Sequence, residues 1–189
     1  ILREFGYSEV EKKEYYPPVE HRHYRRLQKE NNIAAIEIHK EFLIKKYANE
    51  FNYSFVEKDI QVINGVTVLS YTNKLNLSII ANQINDNDFF YKTIVLRNAY
   101  DVFLLSKKTN AKDAVNALDK LSQPLNCFLA ACYEVFNKVD SLTYNLTAKT
   151  ASYLSEFNSQ FTNPVQVKRQ YKFNKIYIFI KRKFYLLYM

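Results

Sequence analysis

The hydrophobic pattern changes period at Ser70. Upstream of it, short alternating stretches separated by turn residues are the signature of strands. Downstream, Leu75, Ile79, Ile80 and Ile84 recur at helical spacing, with Ser70 or Thr72 placed to cap the segment. The expected order is a small β unit followed by a helical bundle, an α+β chain. Residues 1–5 read as the end of a helix, with Gly6 as its left-handed stop. Pro17 and Pro18 force the next stretch extended. Residues 21–27 and 33–39 read as two strands of a hairpin around the polar turn Lys29-Glu-Asn-Asn32. Residues 51–62 are ambiguous, and Asn64-Gly65 marks a turn before a short strand at 66–69. In the bundle, Asp88 opens a helix through Leu105, and Asn110 caps the next, with Val115, Leu118 and Leu121 on one side. Pro124 sits in the first turn of a helix running to Val139, and a last helix covers 141 to 158.

The chain has 189 residues, 48% of them hydrophobic, enough for one cored domain or one domain with an appendage. It has only two glycines, Gly6 and Gly65, which excludes a glycine-rich phosphate loop of the Walker or dinucleotide type. The formal charge of +8 is unevenly placed. Residues 164–189 hold seven cations (Lys168, Arg169, Lys172, Lys175, Lys181, Arg182, Lys183) and no acid. The other 163 residues keep 20 of the 27 cations against all 19 acids, so the body is near neutral. The expected organisation is a partial α/β unit at 1–69, a helical bundle at 70–163 and a basic aromatic tail at 164–189.

Cys127 and Cys132 are five residues apart, about 7.5 Å of rise on a helix, too far for an undistorted disulfide. Buried free thiols in a reducing cytosol are expected. The N-terminal residues lack the charged and apolar blocks of a secretory leader, which again points to a cytoplasmic protein. The tail has no run of about 20 apolar residues, so no conventional transmembrane helix is expected. Its alternation from Tyr171 to Phe179 reads as strand-like. It is either an untied terminus or a surface for nucleic acid or an acidic membrane.

All three histidines, His21, His23 and His39, fall on the hairpin. Residues two apart on a strand share a face, so Glu37 and His39 project together while Ile36 and Ile38 turn to the core side. A carboxylate there suits a metal ligand or a general base. A three-residue loop would set His23 opposite His39 and Arg25 opposite Glu37; a two-residue loop would set Arg22 and Tyr24 there instead. The first register makes a Glu-His-His zinc site conceivable, although no short His-x-x-x-His spacing supports one. The competing reading is a solvated hairpin on which Arg22, Arg25 and Arg26 pair with Glu37. Arg97 and Asp101 stand four apart on a helix apolar almost all round, which should make that helix central and the pair a structural bridge.

The string His21-Arg-His-Tyr-Arg-Arg-Leu, a turn, then Ala35-Ile-Glu-Ile-His39 resembles the hairpin of the uncharacterised nucleotidyltransferase family within the DNA-polymerase-β-like superfamily. Gly65-Val-Thr-Val-Leu-Ser and Leu96-Arg-Asn-Ala-Tyr-Asp-Val-Phe-Leu-Leu resemble the segments that follow it, in the same order. The resemblance covers about residues 1 to 110. It implies transfer of a nucleotidyl group from an NTP to an acceptor, with two Mg²⁺ ions held by carboxylates. By the motif match, Glu37 is the third of those carboxylates and His39 a neighbour that orients it. His21, His23, Arg97 and Asp101 become candidates for contact with substrate. The family's Gly-Ser and Asp-x-Asp segment should precede Leu2-Arg-Glu-Phe-Gly-Tyr7, where this sequence starts. Asp86-Asn-Asp88 lacks the glycine loop and does not replace it. The resemblance therefore implies the rear portion of the enzyme, inactive as it stands, with an open sheet edge. The alternatives are a non-catalytic helical protein-interaction module and a binder of nucleic acid or membrane through the basic tail.

Overall fold

The computed structural model describes residues 1–9, 24, 26–162, 173, 175–177 and 179–180. Pro17, Pro18, His21, His23 and all the tail cations except Lys175 lie outside the described residues. The fold is α+β, and the chain divides into two compact units, Ile1–Leu69 and Ser70–Met189.

In the first unit, residues 1–5 make a helical turn closed by two bonds. Tyr7 N–H donates to Leu2 C=O at 3.2 Å and Gly6 N–H to Arg3 C=O at 3.0 Å. Gly6 sits at φ 82°, the left-handed residue this closure requires. The chain leaves directly into a strand that sequence reading missed. It is β1 (Tyr7–Glu9), which pairs antiparallel with β2 (Leu27–Lys29), itself paired with β3 (Ala35–Ile36). The polar turn is present. Asn32 N–H donates to Lys29 C=O at 3.1 Å, with Asn31 at φ 63°, a conformation Asn tolerates.

A tight helix α1 (Tyr53–Val56) follows, its first turn capped by Asn52, whose Oδ1 accepts from Phe55 N–H at 2.9 Å. Among the described residues of this unit Leu43, Phe51 and Val56 are buried, with Phe42 and Phe55 against the Phe51 ring. A separate two-stranded sheet joins β4 (Ile60–Ile63) to β5 (Val66–Leu69). Asn64 and Gly65 form its two-residue turn at φ 51° and 77°, both left-handed as the twist of a tight hairpin requires.

The second unit is helical. Ser70 caps α2 (Tyr71–Ile80) by accepting from Asn73 N–H at 3.1 Å. Leu75, Ile79, Ile80 and Ile84 are all buried, as their spacing demands. A π-helical turn at Ala81–Asn85 continues α2, and α3 (Asp88–Tyr91), α4 (Leu96–Ser106) and α5 (Ala111–Asn116) follow. Asn110 caps α5 through Asp113 N–H. Then come α6 (Ser122–Val135) and α7 (Ala148–Thr162).

The central helix is α6, not α4. Residues 125–132 of α6 are buried without a break, so every side of that helix is covered. It packs on α2, α3, α5 and α7. By contrast α4 buries only Ala99, Val102 and Ser106, and Leu96, Tyr100 and Leu104 face solvent. An apolar sequence all round does not guarantee burial all round, because surface side chains are often apolar too.

Two breaks divide what sequence patterning read as continuous helices, and both are made by distant polar side chains. Between α3 and α4, Lys92 turns to φ 56°. Gln160 donates to the Lys92 and Tyr91 carbonyls at 2.7 and 3.0 Å, and Gln83 to the Thr93 carbonyl at 2.9 Å. Ahead of α7, buried Asn126 exchanges two bonds with the Asn145 backbone at 2.8 and 2.7 Å. That pins residues 143–147 in extended form, so the helix starts at Ala148 and runs to Thr162. In the tail, residues 173, 175–177 and 179–180 are helical rather than strand-like.

Candidate functional site

The β2–β3 hairpin pairs Leu27 with Ile36 and Gln28 with Ala35. The loop is thus four residues long, one more than the longer of the two registers drawn from sequence. The pairing brings Arg26 beside Glu37, in place of Arg25 or Tyr24. Farther out, Tyr24 N–H donates to Ile38 C=O at 2.8 Å, one residue out of step with the pairing at the turn.

Glu37 and His39 do project together. Arg26 Nε lies 3.6 Å from Glu37 Oε1, and His39 Nε2 lies 3.6 Å from Glu37 Oε2. The Glu37 side chain is the most covered of the three, at 32% exposure, against 55% for Arg26 and 51% for His39. The carboxylate thus lies between a guanidinium and an imidazole. At these distances and exposures each pair is weak, the ordinary condition of surface ion pairs. Ile36 is half-buried and Ile38 exposed, so the opposite face is not the core that alternation implied. Instead, Leu27 and Ile38 line a shallow groove of about 420 Å³ with Arg3, Glu9 and Tyr24. Arg3 is tied across it to Glu9 at 3.0 Å. Lys40 Nζ stands 4.4 Å from the centre of the Tyr24 ring. Neither Glu37 nor His39 lines that groove.

Mg²⁺ takes several hard oxygen ligands. Glu37 has a guanidinium and an imidazole against it instead. Among the described residues, no group of three or more His, Cys, Asp or Glu side chains converges to hold a metal. These residues by themselves do not fit a two-metal centre.

Arg97 and Asp101 lie on α4 in the second unit, and no ion pair joins them. Arg97 is exposed and Asp101 half-buried. The expected structural bridge is therefore absent, and with Arg97 exposed such a bridge would gain little. His21 and His23 fall outside the described residues.

Asp86-Asn-Asp88 lies in the turn into α3. Asp86 accepts from Asn82 Nδ2 at 3.2 Å, and Asp88 accepts from Thr93 Oγ1 at 3.0 Å. Burial, and to a lesser degree the Asp86 charge, raise the Asp88 carboxyl above the usual carboxylate value against the lowering Thr93 bond. Its role there is to fix the α3–α4 turn. Cys127 and Cys132 are buried free thiols, as expected from their spacing, and burial pushes both above the usual thiol value. No helix among the described residues is long and apolar enough to cross a membrane.

In the sequence, Arg26 is one of three arginines placed to pair with Glu37. Arg26 stands opposite Glu37 only if all four residues from Glu30 to Ile33 form the loop, and the apolar Ile33 hides that length from a reading of polarity. No family model, curated protein or solved structure matches the chain.

Proposed function

We propose that this chain is nucleotidyltransferase-like and that residues 1–189 alone bind a nucleoside triphosphate weakly, without turning it over. The observation that supports this reading is the hairpin face on which Arg26, Glu37 and His39 meet. A guanidinium is the side chain best matched to phosphate oxygens, and Arg26 is exposed enough to reach them. Glu37 holds the guanidinium in place and keeps its second oxygen on His39. His39 is then a neutral or charged donor at the edge of the same face.

The test has two arms. Titration of ATP, then GTP, CTP and UTP, into the full chain should show binding that Arg26→Ala weakens. Transfer of label from the α-phosphate to an acceptor should be absent until a segment bearing the Gly-Ser and Asp-x-Asp motifs is joined ahead of Ile1, and Glu37→Gln should then remove it. Absence of triphosphate binding in the first arm, or transfer untouched by Glu37→Gln in the second, would overturn the reading.

A second reading, a protein-interaction module, is favoured by one specific observation. Leu96, Tyr100 and Leu104 form an outward stripe on α4 at 67%, 52% and 43% exposure. Under that reading, Leu96→Ser with Leu104→Ser abolishes function and Glu37→Ala leaves it intact.

A further inference from the structure

Phe173, Ile176, Tyr177 and Ile180 stand at helical positions i, i+3, i+4 and i+7, and the described residues of this stretch are helical. That spacing places four large apolar side chains on one side of a helix. A helix of a folded bundle buries such a side. Here the four are 72%, 56%, 54% and 46% exposed. The Tyr177 ring stacks on Phe90 of α3 at 5.8 Å between centroids. Lys175 is two positions from both Phe173 and Tyr177, off the apolar stripe. In sequence the stripe lies within the acid-free 164–189 stretch, flanked by Lys168, Arg169 and Lys172 before it and Lys181, Arg182 and Lys183 after it. The rest of the chain is nearly neutral, so in sequence this concentration of charge belongs to the 164–189 stretch.

We infer that this segment is a peripheral membrane element that lies on an anionic lipid surface, with Phe173, Ile176, Tyr177 and Ile180 entering the headgroup boundary. Two complementarities choose that partner. The uniform positive charge meets the negative potential of anionic headgroups, and each Lys or Arg near such a surface adds to the attraction. The apolar stripe meets the acyl boundary, which a nucleic acid does not offer. Its aliphatic members Ile176 and Ile180 have no π face on which to stack a base. Amphipathic helices rich in Lys and Arg, with large apolar residues opposite, bind in this way. Lys181, Arg182 and Lys183 interrupt the apolar sequence, which suits a surface mode of binding that reverses readily.

The experiment is co-sedimentation of the full chain with vesicles of phosphatidylcholine alone and of phosphatidylcholine mixed with phosphatidylserine, at rising salt, beside titration of single-stranded RNA. Binding is expected on the mixed vesicles, absent on phosphatidylcholine alone, and weakened by salt. Replacing Lys181, Arg182 and Lys183 together by Gln should weaken it roughly 100-fold. Ile176→Ser with Ile180→Ser should weaken vesicle binding while leaving the thermal unfolding of the bundle unchanged, because both residues are exposed. Equal binding to both vesicle types overturns the proposal. So does RNA binding tighter than vesicle binding and indifferent to the Ile substitutions, which would make the segment a nucleic-acid contact.

Discussion

Asp88 shows how one half-buried carboxylate trades charge for geometry. Its Oδ1 accepts from Thr93 and helps close the turn into α4, yet burial raises its pKa. A folded-state value above the unfolded one means that the folded chain binds that proton more tightly. The associated stability is fully present below the unfolded carboxylate value and is lost as pH rises through the raised one. Asp88→Asn keeps an acceptor for Thr93 and removes the charge. It should raise the melting temperature at neutral pH by the equivalent of less than about 1 kcal/mol after solvent screening. The gain should shrink as pH falls into the carboxylate range; a gain that persists there would disprove the assignment. The two cysteines make a parallel case. Burial keeps both thiols protonated at neutral pH, and only the thiolate reacts readily. Iodoacetamide should label neither in the native protein and both in denaturant, read by mass spectrometry. The Arg26–Glu37 pair is exposed enough that a double-mutant cycle should return under about 1 kcal/mol, so loss of nucleotide binding in Arg26→Ala could not be ascribed to unfolding.

Caps and turns carry the elements. Ser70→Ala removes the acceptor for Asn73 N–H and should cost about 1 kcal/mol in denaturant unfolding. Gly65→Ala meets no atom within 4 Å but imposes a Cβ at φ 77°, so its cost is backbone strain alone, about 1 kcal/mol. Both positions were legible in the sequence, because Ser70 opens a helical period and Asn64-Gly65 is the strongest short hairpin signal. The breaks at 92–95 and 143–147 were not. A left-handed Lys92 violates local preference and is held by Gln83 and Gln160, one of them almost 70 residues away. Local pattern cannot report a hydrogen bond made after the chain has folded. The hairpin register failed for a related reason. Glu30 to Ile33 fits several loop lengths, and the distance between Arg26 and Glu37 depends on which one forms. Strand β1 was missed because three residues after a glycine are too few to show a period.

At the scale of the whole molecule, the two units are unequally cored. Among the described residues, Ile1–Leu69 has three buried apolar side chains, whereas the great majority of the buried apolar residues belong to Ser70–Met189. Hydrogen exchange should therefore show the first unit opening at lower free energy than α6, with limited proteolysis cutting before Ser70 first. Uniform protection across both units would refute this. In the second unit Phe128 is fully buried, and Phe128→Ala should cost about 3–5 kcal/mol. The unbroken burial of residues 125–132 also sets a limit on trimming. A helix covered on every side has walls that belong to different parts of the chain, α2 before it and α7 after it. Removing either end of 70–162 strips one wall and bares a row of side chains that no other segment can cover. Among the described residues neither α2 nor α7 is detachable, so a shortened version that still folds should keep both ends of that stretch.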